Sequence, residues 1–373
     1  MKLAMLNLTG GGMSGGHRKY LSGMLPFLAA SGKVDSILCA SPQTAFSRDS
    51  LGAVPNISFA DCEPFRPFFH SPGPRLKAAL DSFSPDILFI PVERYVNYRD
   101  LPVVIMLQNM APLAHVRTGS GFMEFLTAAL RRYETRYALR RAAAVIVPTE
   151  HVRDFLVRNT GIAPEKVTVI NYGVTPPGPA TEIPASFPFP GGKFILSAGS
   201  LEMYRGLEDL IRALPAVKAE FPGIKLAIAG GTRPSTEGYL KSLRFLASSL
   251  GVDREIAWLG NVPEPELSWY YSNCEVLALT SRVESFCFVA LEAMQHGCRI
   301  VSSDSPCLPE VLRDAALYYR PGDADALAAN ILQLLRQPPP EAEGVRRRAF
   351  ENSARFRWDV AGAATLSVLE RFS

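Results

Sequence analysis

Long hydrophobic runs are missing from this 373-residue chain: none approaches the roughly eighteen apolar residues that a membrane-spanning helix requires. Paired cysteines are missing too. The six cysteines, at 39, 62, 274, 287, 298 and 307, form no C-x-x-C pair and no zinc-ligand spacing. They read as reduced, buried thiols of a cytoplasmic protein. Excess charge of one sign is small: 39 Lys+Arg against 36 Asp+Glu leave +3, too little to argue for a nucleic-acid partner. The opening MKLAMLNLTGGG lacks the longer apolar stretch and small-residue cleavage site of a signal peptide. Collagen, coiled coil, secreted disulfide scaffold and integral membrane protein are excluded on these grounds. What is present is 47% hydrophobic and 20% charged residues, a globular balance, at a length that suits two cores better than one.

Short apolar runs alternate with helical stretches throughout, the pattern of parallel sheets covered by helices. In the first half the runs are KLAMLNL (2–8), SILCA (36–40), DILFIP (86–91), VVIML (103–107), AVIVP (144–148) and VTVIN (167–171). A proline- and glycine-rich segment at 176–192 cannot continue a sheet and reads as a hinge. A second series follows: FILSAG, KLAIAG, IAWLG, VLALT, RIVSS and ALYYR. The expected fold class is α/β, with two Rossmann-like domains facing a cleft. The expected divisions are 1–175, linker 176–192, 193–345, and a terminal helix over 346–373. Open parallel sheets bind ligands beyond the carboxyl ends of their strands, so chemistry is sought there.

Two motifs stand at such ends. TGGGMSGGHRKY follows the first strand, and Gly10, Gly12 and Gly15 satisfy G-x-G-x-x-G. The second strand ends Cys39-Ala40-Ser41-Pro42, without the acidic residue a dinucleotide ribose needs. The loop therefore reads as a close backbone approach to another ligand, or as a turn alone. The second motif is TSRVESFCFVALEAMQHG (280–297). A strand ends at Thr280 and a helix is expected from about Phe286 to Gln295, N-capped by Ser285 and ended by Gly297. Glu284 then precedes the helix and Glu292 lies about two turns along it. Free amides around Phe288, Val289 and Ala290 offer an anion site between them. Phosphate on the amides with ribose and sugar on the carboxylates is a nucleotide-sugar layout; a solvated loop charge and a wet helix face would give the same spacing.

E-S-F-C-F-V-A-L-E-A-M resembles the E-x7-E signature of the family-4 (group 1) retaining glycosyltransferases of the GT-B fold. The resemblance extends to FILSAGSLEMYRGLEDLIRAL, to LAIAGG with WLGNVPEPELSWYYSNCEVLALTS, and to GCRIVSSDSPCLPEVL. AVIVPTEHVRDFL, KVTVINYGV and the final FRWDVAGAATLSVLERF extend it to the first domain and to a helix crossing back onto it. The resemblance implies sugar transfer from a nucleotide-diphosphate sugar to a glycan or lipid-linked acceptor, with no metal and no cofactor. It implies that Glu284 contacts the donor sugar and Glu292 the ribose, and that the amides of Phe288, Val289 and Ala290 take the distal phosphate. Arg205 would neutralise the leaving diphosphate, the backbone around Gly260 and Val262 would hold the base, and Gly12, Gly15 and Gly16 would let the first loop approach the phosphates. Three positions depart from the pattern. Ser200 stands where the family has an arginine, leaving Arg233 or Arg282 as substitutes. Gln108 or Asn109 stands at the usual histidine, with His115 nearby. Cys287 replaces a glycine and reads as a packed thiol. A nucleotide-sugar epimerase and a catalytically silent binding module are the alternative functions.

Two further features leave alternatives open. Asp323-Ala324-Asp325 spells D-x-D but opens a helix, where acidic residues cap amides. Arg131, Arg132, Arg136, Arg140 and Arg141 make the helix at 123–142 basic, as in a peripheral membrane contact or in a solvated helix. The aromatic stretch CEPFRPFFHSPGPRL (62–76) can bind a sugar acceptor or simply pack.

Overall fold

In the computed structural model, residues 1–9, 15–42, 54, 56–114, 122–178, 183–184 and 187–373 are described. Among the described residues the chain forms two compact units, one of residues 1–114, 125–175 and 356–373, the other of residues 122–124 and 176–355.

The first unit is built on seven parallel strands: β1 (Lys2–Leu6), β2 (Ser36–Pro42), β3 (Ile57–Cys62), β4 (Ile87–Ile90), β5 (Val103–Met106), β6 (Ala144–Val147) and β7 (Val167–Val169). Their order is β3-β2-β1-β4-β5-β6-β7, so the winding reverses between β1 and β4. The central strands are buried apolar runs, Leu3 to Leu6, Ile87 to Ile90 and Val104 to Met106 being essentially inaccessible. That is what a parallel sheet covered on both faces demands. The crossover helices include α1 (Gly15–Ala30), α2 (Pro74–Phe83), α3 (Phe122–Arg141) and α4 (Glu150–Thr160). β3 and α2 have no counterpart among the apolar runs of the sequence. β3 is an edge strand whose middle residues are partly exposed, so it carries less apolar character than the strands inside.

The second unit has six parallel strands: β8 (Phe194–Ala198), β9 (Lys225–Ala229), β10 (Ile256–Gly260), β11 (Val276–Leu279), β12 (Ile300–Ser303) and β13 (Ala316–Tyr319). Their order, β10-β9-β8-β11-β12-β13, reverses between β8 and β11. Helices α5 (Leu207–Glu220), α6 (Glu237–Ser249), α7 (Glu264–Asn273), α8 (Phe288–Gln295), α9 (Cys307–Leu312), α10 (Ala324–Leu335) and α11 (Pro339–Ser353) complete it. Leu210, Leu214 and Val217 of α5 join Leu327 and Ile331 of α10 in one buried cluster over the sheet.

Two expected boundaries move. The proline-rich stretch at 176–192 is not a hinge to its end, because Phe187 packs on Phe194, Trp269 and Tyr270 of the second unit. The terminal crossing starts at Phe356, not 346. α11 stays on the second unit, where Asn352 Nδ2 donates to the Val311 and Leu312 carbonyls and Arg346 Nη1 to the Gly297 carbonyl. Only α12 (Trp358–Glu370) returns to pack on α1 of the first unit.

Candidate functional site

In the second unit the winding reversal lies between β8 and β11, and the turns after these strands carry the principal charged pair. Gly199, directly after β8, has φ of +123°, a conformation open to glycine, and a Cβ there would press on the Arg205 guanidinium at 3.3 Å. Arg205 ends the short turn Met203–Arg205 and Glu284 lies in the loop after β11. Arg205 Nη1 donates to Glu284 Oε1 at 2.5 Å and to Ser281 Oγ at 3.3 Å, and Ser281 Oγ donates to the same carboxylate oxygen at 2.9 Å. Both side chains are largely buried, 18% and 10% exposed. Burial works against the Arg205 charge, but the Glu284 carboxylate together with the other groups around it outweighs burial, and the guanidinium pKa is raised. Among the described residues, Arg205 Nε is buried without a hydrogen-bond acceptor. Arg205 lines a small pocket together with Ser197, Gly199, Ser200, Thr280 and Ser281. A fixed cation lining such a pocket suits an anionic ligand.

The helix after this loop begins at Phe288, not near Phe286, and its N-cap is Cys287 rather than Ser285. Cys287 has φ of +76°, the left-handed region, which explains physically why a glycine suits this position. Burial, reinforced by the Glu284 charge, pushes its thiol pKa up to about 12, so it is a packed thiol and not a nucleophile. Of the three amides expected to hold phosphate, that of Ala290 already donates to the Cys287 carbonyl at 3.1 Å. Phe288 and Val289 occupy the first turn, whose leading amides have no intrahelical acceptor. Glu292, one face further along α8, accepts from the Tyr271 hydroxyl of α7 at 3.1 Å. Burial, with the Glu292 charge added, holds that phenol well above its usual range, so it stays a donor.

The remaining second-unit expectations divide. Gly260 closes β10 with φ of +65°, and its carbonyl is taken by the Gly230 amide at 2.8 Å. The Gly260 carbonyl is thus already engaged, and Val262, the other residue expected at this turn, is half-buried. Arg282 is not a spare cation: it bonds Glu208 at 3.0 Å and the fully buried Asp209 at 3.1 Å. Arg233 pairs with Glu202 but is 65% exposed. Asp323 of the D-x-D is the N-cap of α10, accepting from the Ala326 amide at 2.9 Å. All six cysteines are buried and unbridged.

In the first unit the carboxyl ends of β1, β4 and β5 bring together groups from three segments. Gln108 Oε1 lies 3.2 Å from His17 Nδ1 at the start of α1. His17 is 4% exposed, and burial pushes its pKa down to about 4 against the raising effect of Gln108. Glu93, after β4, is hydrogen-bonded by the Gln108 backbone amide; burial raises its carboxyl pKa while nearby Arg94 lowers it. Neither His17 nor Glu93 belongs to a spaced motif, and the one sequence signal was the histidine directly after the glycine loop. Asn109 is exposed, its side chain accepting from the Ala111 amide at 2.9 Å. Gly15 opens α1, and a Cβ there would meet open space. Gly16 lies beside it. Gly12 and His115 lie outside the described residues.

Residues 14–176 match the family described as Glycosyltransferase Family 4, and residues 180–355 that described as Glycosyl transferases group 1. A D-inositol 3-phosphate glycosyltransferase of Mycolicibacterium paratuberculosis is 28% identical over 65% of this chain and 56% of its own length. The chain thus matches less than two thirds of that relative. Sucrose-phosphate synthase of Thermosynechococcus elongatus superposes over 100% of this chain and 98% of its own, with a TM-score of 0.77 at 16% identity. Anabaena HepE, solved with UDP and glucose, superposes over the whole of both chains, with a TM-score of 0.72 at 18% identity. Two parallel-sheet α/β units and these two family matches lead to one assignment: the chain belongs to the group 1 glycosyltransferases of the GT-B fold.

Proposed function

We propose that this chain is a retaining glycosyltransferase that moves a sugar from a nucleotide-diphosphate sugar to a hydroxyl of a glycan or lipid-linked acceptor. The observation that carries the reading is the Arg205–Glu284 pair at the β8/β11 reversal, with Arg205 lining the adjoining pocket. Arg205 and the leading α8 amides neutralise charge as the diphosphate departs, without a metal. Glu284 holds the sugar hydroxyls, and Glu292, aligned by Tyr271, holds the ribose. The acceptor hydroxyl attacks from the face the diphosphate leaves, and the leaving phosphate serves as base. The solved relative carrying UDP and glucose supports a nucleotide-sugar donor. The enzyme would work in the cytoplasm or at the inner face of the membrane; among the described residues no helix is long and apolar enough to cross one.

One observation favours the silent module: Arg205 and Arg282 both already serve carboxylates, and Ser200 adds no charge. Thermal unfolding against UDP, GDP, dTDP, ADP and NAD separates the readings. A ligand at about a hundred times its Kd adds about 2.7 kcal/mol, a shift of several degrees. Stabilisation by one nucleoside diphosphate and not by NAD is expected. Stabilisation by NAD alone overturns the donor assignment, and stabilisation without any donor turnover leaves the binding module.

A further inference from the structure

The loop that carries Glu284 is tied down through Arg282, which shortly precedes it in the chain. The Arg282 guanidinium reaches the first turn of α5, where Nη2 donates to Glu208 Oε1 at 3.0 Å and to Asp209 Oδ1 at 3.1 Å. Those carboxylates are themselves fixed. Asp209 is fully buried, and its other oxygen accepts from the Gly322 amide at 2.8 Å and from the Tyr319 hydroxyl at 3.5 Å. Glu208 Oε2 accepts from the Tyr239 hydroxyl at 2.6 Å, and the same hydroxyl accepts from the Leu207 amide at 3.3 Å. A charge-assisted bond to a buried, already oriented carboxylate is a stiff anchor.

Further contacts bring the same loop onto the turn that carries Arg205. The Arg282 amide donates to the Tyr204 carbonyl at 2.7 Å, and Thr280 Oγ1 donates to the Arg205 carbonyl at 2.6 Å. Gly206, with φ of +60°, permits this approach: a Cβ there would fall 2.6 Å from the Thr280 carbonyl oxygen and 3.1 Å from Arg282 Nε. At the end of β12 and just after it, Ser303 Oγ donates to the Ser281 carbonyl at 2.5 Å and Ser305 Oγ to the Arg282 carbonyl at 3.0 Å. The small pocket beside Arg205 takes in Thr280 and Ser281 of this loop, whereas the Arg282 side chain is engaged on α5. A cation already serving two carboxylates brings no free charge to a diphosphate. It does fix where the carboxylate next to it in the loop stands.

We propose that Arg282 is a positioning residue for sugar transfer: anchored on Glu208 and Asp209 at the head of α5, it holds the loop after β11 so that Glu284 faces Arg205. This role rests on the transferase reading and supplies the geometry that reading needs. Lysine at 282 keeps a charge for Asp209 but lacks the planar guanidinium, so the loop loosens while an ion pair persists. Glu208→Gln, at a site 25% exposed, weakens the same anchor without stranding a buried charge.

The test is the release of nucleoside diphosphate from UDP-glucose, GDP-mannose, dTDP-glucose and ADP-glucose, followed beside hydrogen exchange of residues 280–287. Arg282→Lys should lower kcat about tenfold with the donor KM within about twofold of the parent. Glu208→Gln should lower kcat about threefold, again without moving KM. In the Glu284→Gln background Arg282→Lys should change the rate by less than about twofold, because the group it positions is gone. Exchange across 280–287 should quicken about tenfold in Arg282→Lys while that of α10 stays as in the parent. Parent-like kcat in both variants, a KM that rises in step with the loss, the same loss in the Glu284→Gln background, or unchanged exchange would each overturn the proposal. A parent that turns over none of the four donors counts against the transferase reading, and exchange then still decides whether Arg282 holds the loop.

Discussion

At the scale of single residues, Arg205 and Glu284 are each other's main partner, so their variants must be compared in pairs. Arg205→Ala leaves a carboxylate that is only 10% exposed with the Ser281 hydroxyl as its remaining partner. Stranding a buried charge costs about 3–5 kcal/mol. Glu284→Gln keeps the shape, and should lower the transfer rate more than it weakens nucleotide binding. Steady-state kinetics beside nucleotide titration checks this; equal loss in both would make Glu284 a binding residue only. Cys287 offers a cleaner substitution. Glycine adopts φ of +76° freely, whereas valine there adds steric strain of about 1–3 kcal/mol. Urea unfolding should place Cys287→Gly within about 1 kcal/mol of the parent and Cys287→Val well below it. His17 gives a pH dependence. Its folded pKa of about 4 lies below the ordinary 6.5, so between these values the unfolded chain binds more protons. Stability is therefore lost as pH falls through that window, by up to about 3 kcal/mol. His17→Gln should flatten the acid limb of the first unit's unfolding curve; an unchanged limb would mean that the imidazole already titrates normally.

At the scale of elements, what was legible in the sequence follows burial. Strands covered on both faces, such as VVIM and VLAL, are continuous apolar runs and announce themselves. Edge strand β3 is buried only at its ends, Ile57 and Cys62, and does not. The α8 start was misplaced by two residues because Ser285 carries a capping side chain, while the actual cap rests on the left-handed backbone of Cys287. The placement of Glu284 in the loop and Glu292 on α8 was legible because both lie within one short stretch of sequence. His17, Glu93 and Gln108 meet from the ends of three strands, a juxtaposition that only topology creates. Packing of α12 on α1 was legible as a resemblance but not in its mechanism, which is close approach at small residues. A Cβ on Gly23 would fall 2.1 Å from the Trp358 ring, and one on Gly173 only 2.4 Å from the Trp358 backbone nitrogen. Gly23→Ala should destabilise the first unit by about 1–3 kcal/mol, measured by thermal unfolding. Gly15→Ala, facing open space at the head of the same helix, should be near neutral. Combining Gly23→Ala with Trp358→Ala should recover part of the loss, because the ring that clashes is gone; strict additivity would show that the two do not meet.

At the scale of the whole molecule, the chain leaves the first unit at Thr175 and returns to it at Phe356, so that unit is completed only by the last eighteen residues. Within them Phe356, Leu366, Val368 and Leu369 are buried, Trp358 lies edge-on to Tyr20 at 6.0 Å, and the Val174 amide donates to the Phe356 carbonyl at 3.1 Å. Four buried large apolar side chains at about 1.5–3 kcal/mol each match the entire stability margin of an ordinary domain, about 5–15 kcal/mol. The second unit closes at Arg355, whose side chain donates to the Val311 carbonyl at 2.9 Å. A chain shortened after Arg355 should therefore lose the cooperative melting of the first unit while the second still melts as a unit. Any nucleoside diphosphate that stabilises the intact chain should still raise that remaining transition, because Arg205, Glu284 and Glu292 all lie within Pro176–Arg355. Calorimetry of the shortened chain, with and without nucleotide, decides it. Two transitions unchanged from the parent would show that α12 is an ornament on a fold complete without it. Loss of both would show that neither unit stands by its own core.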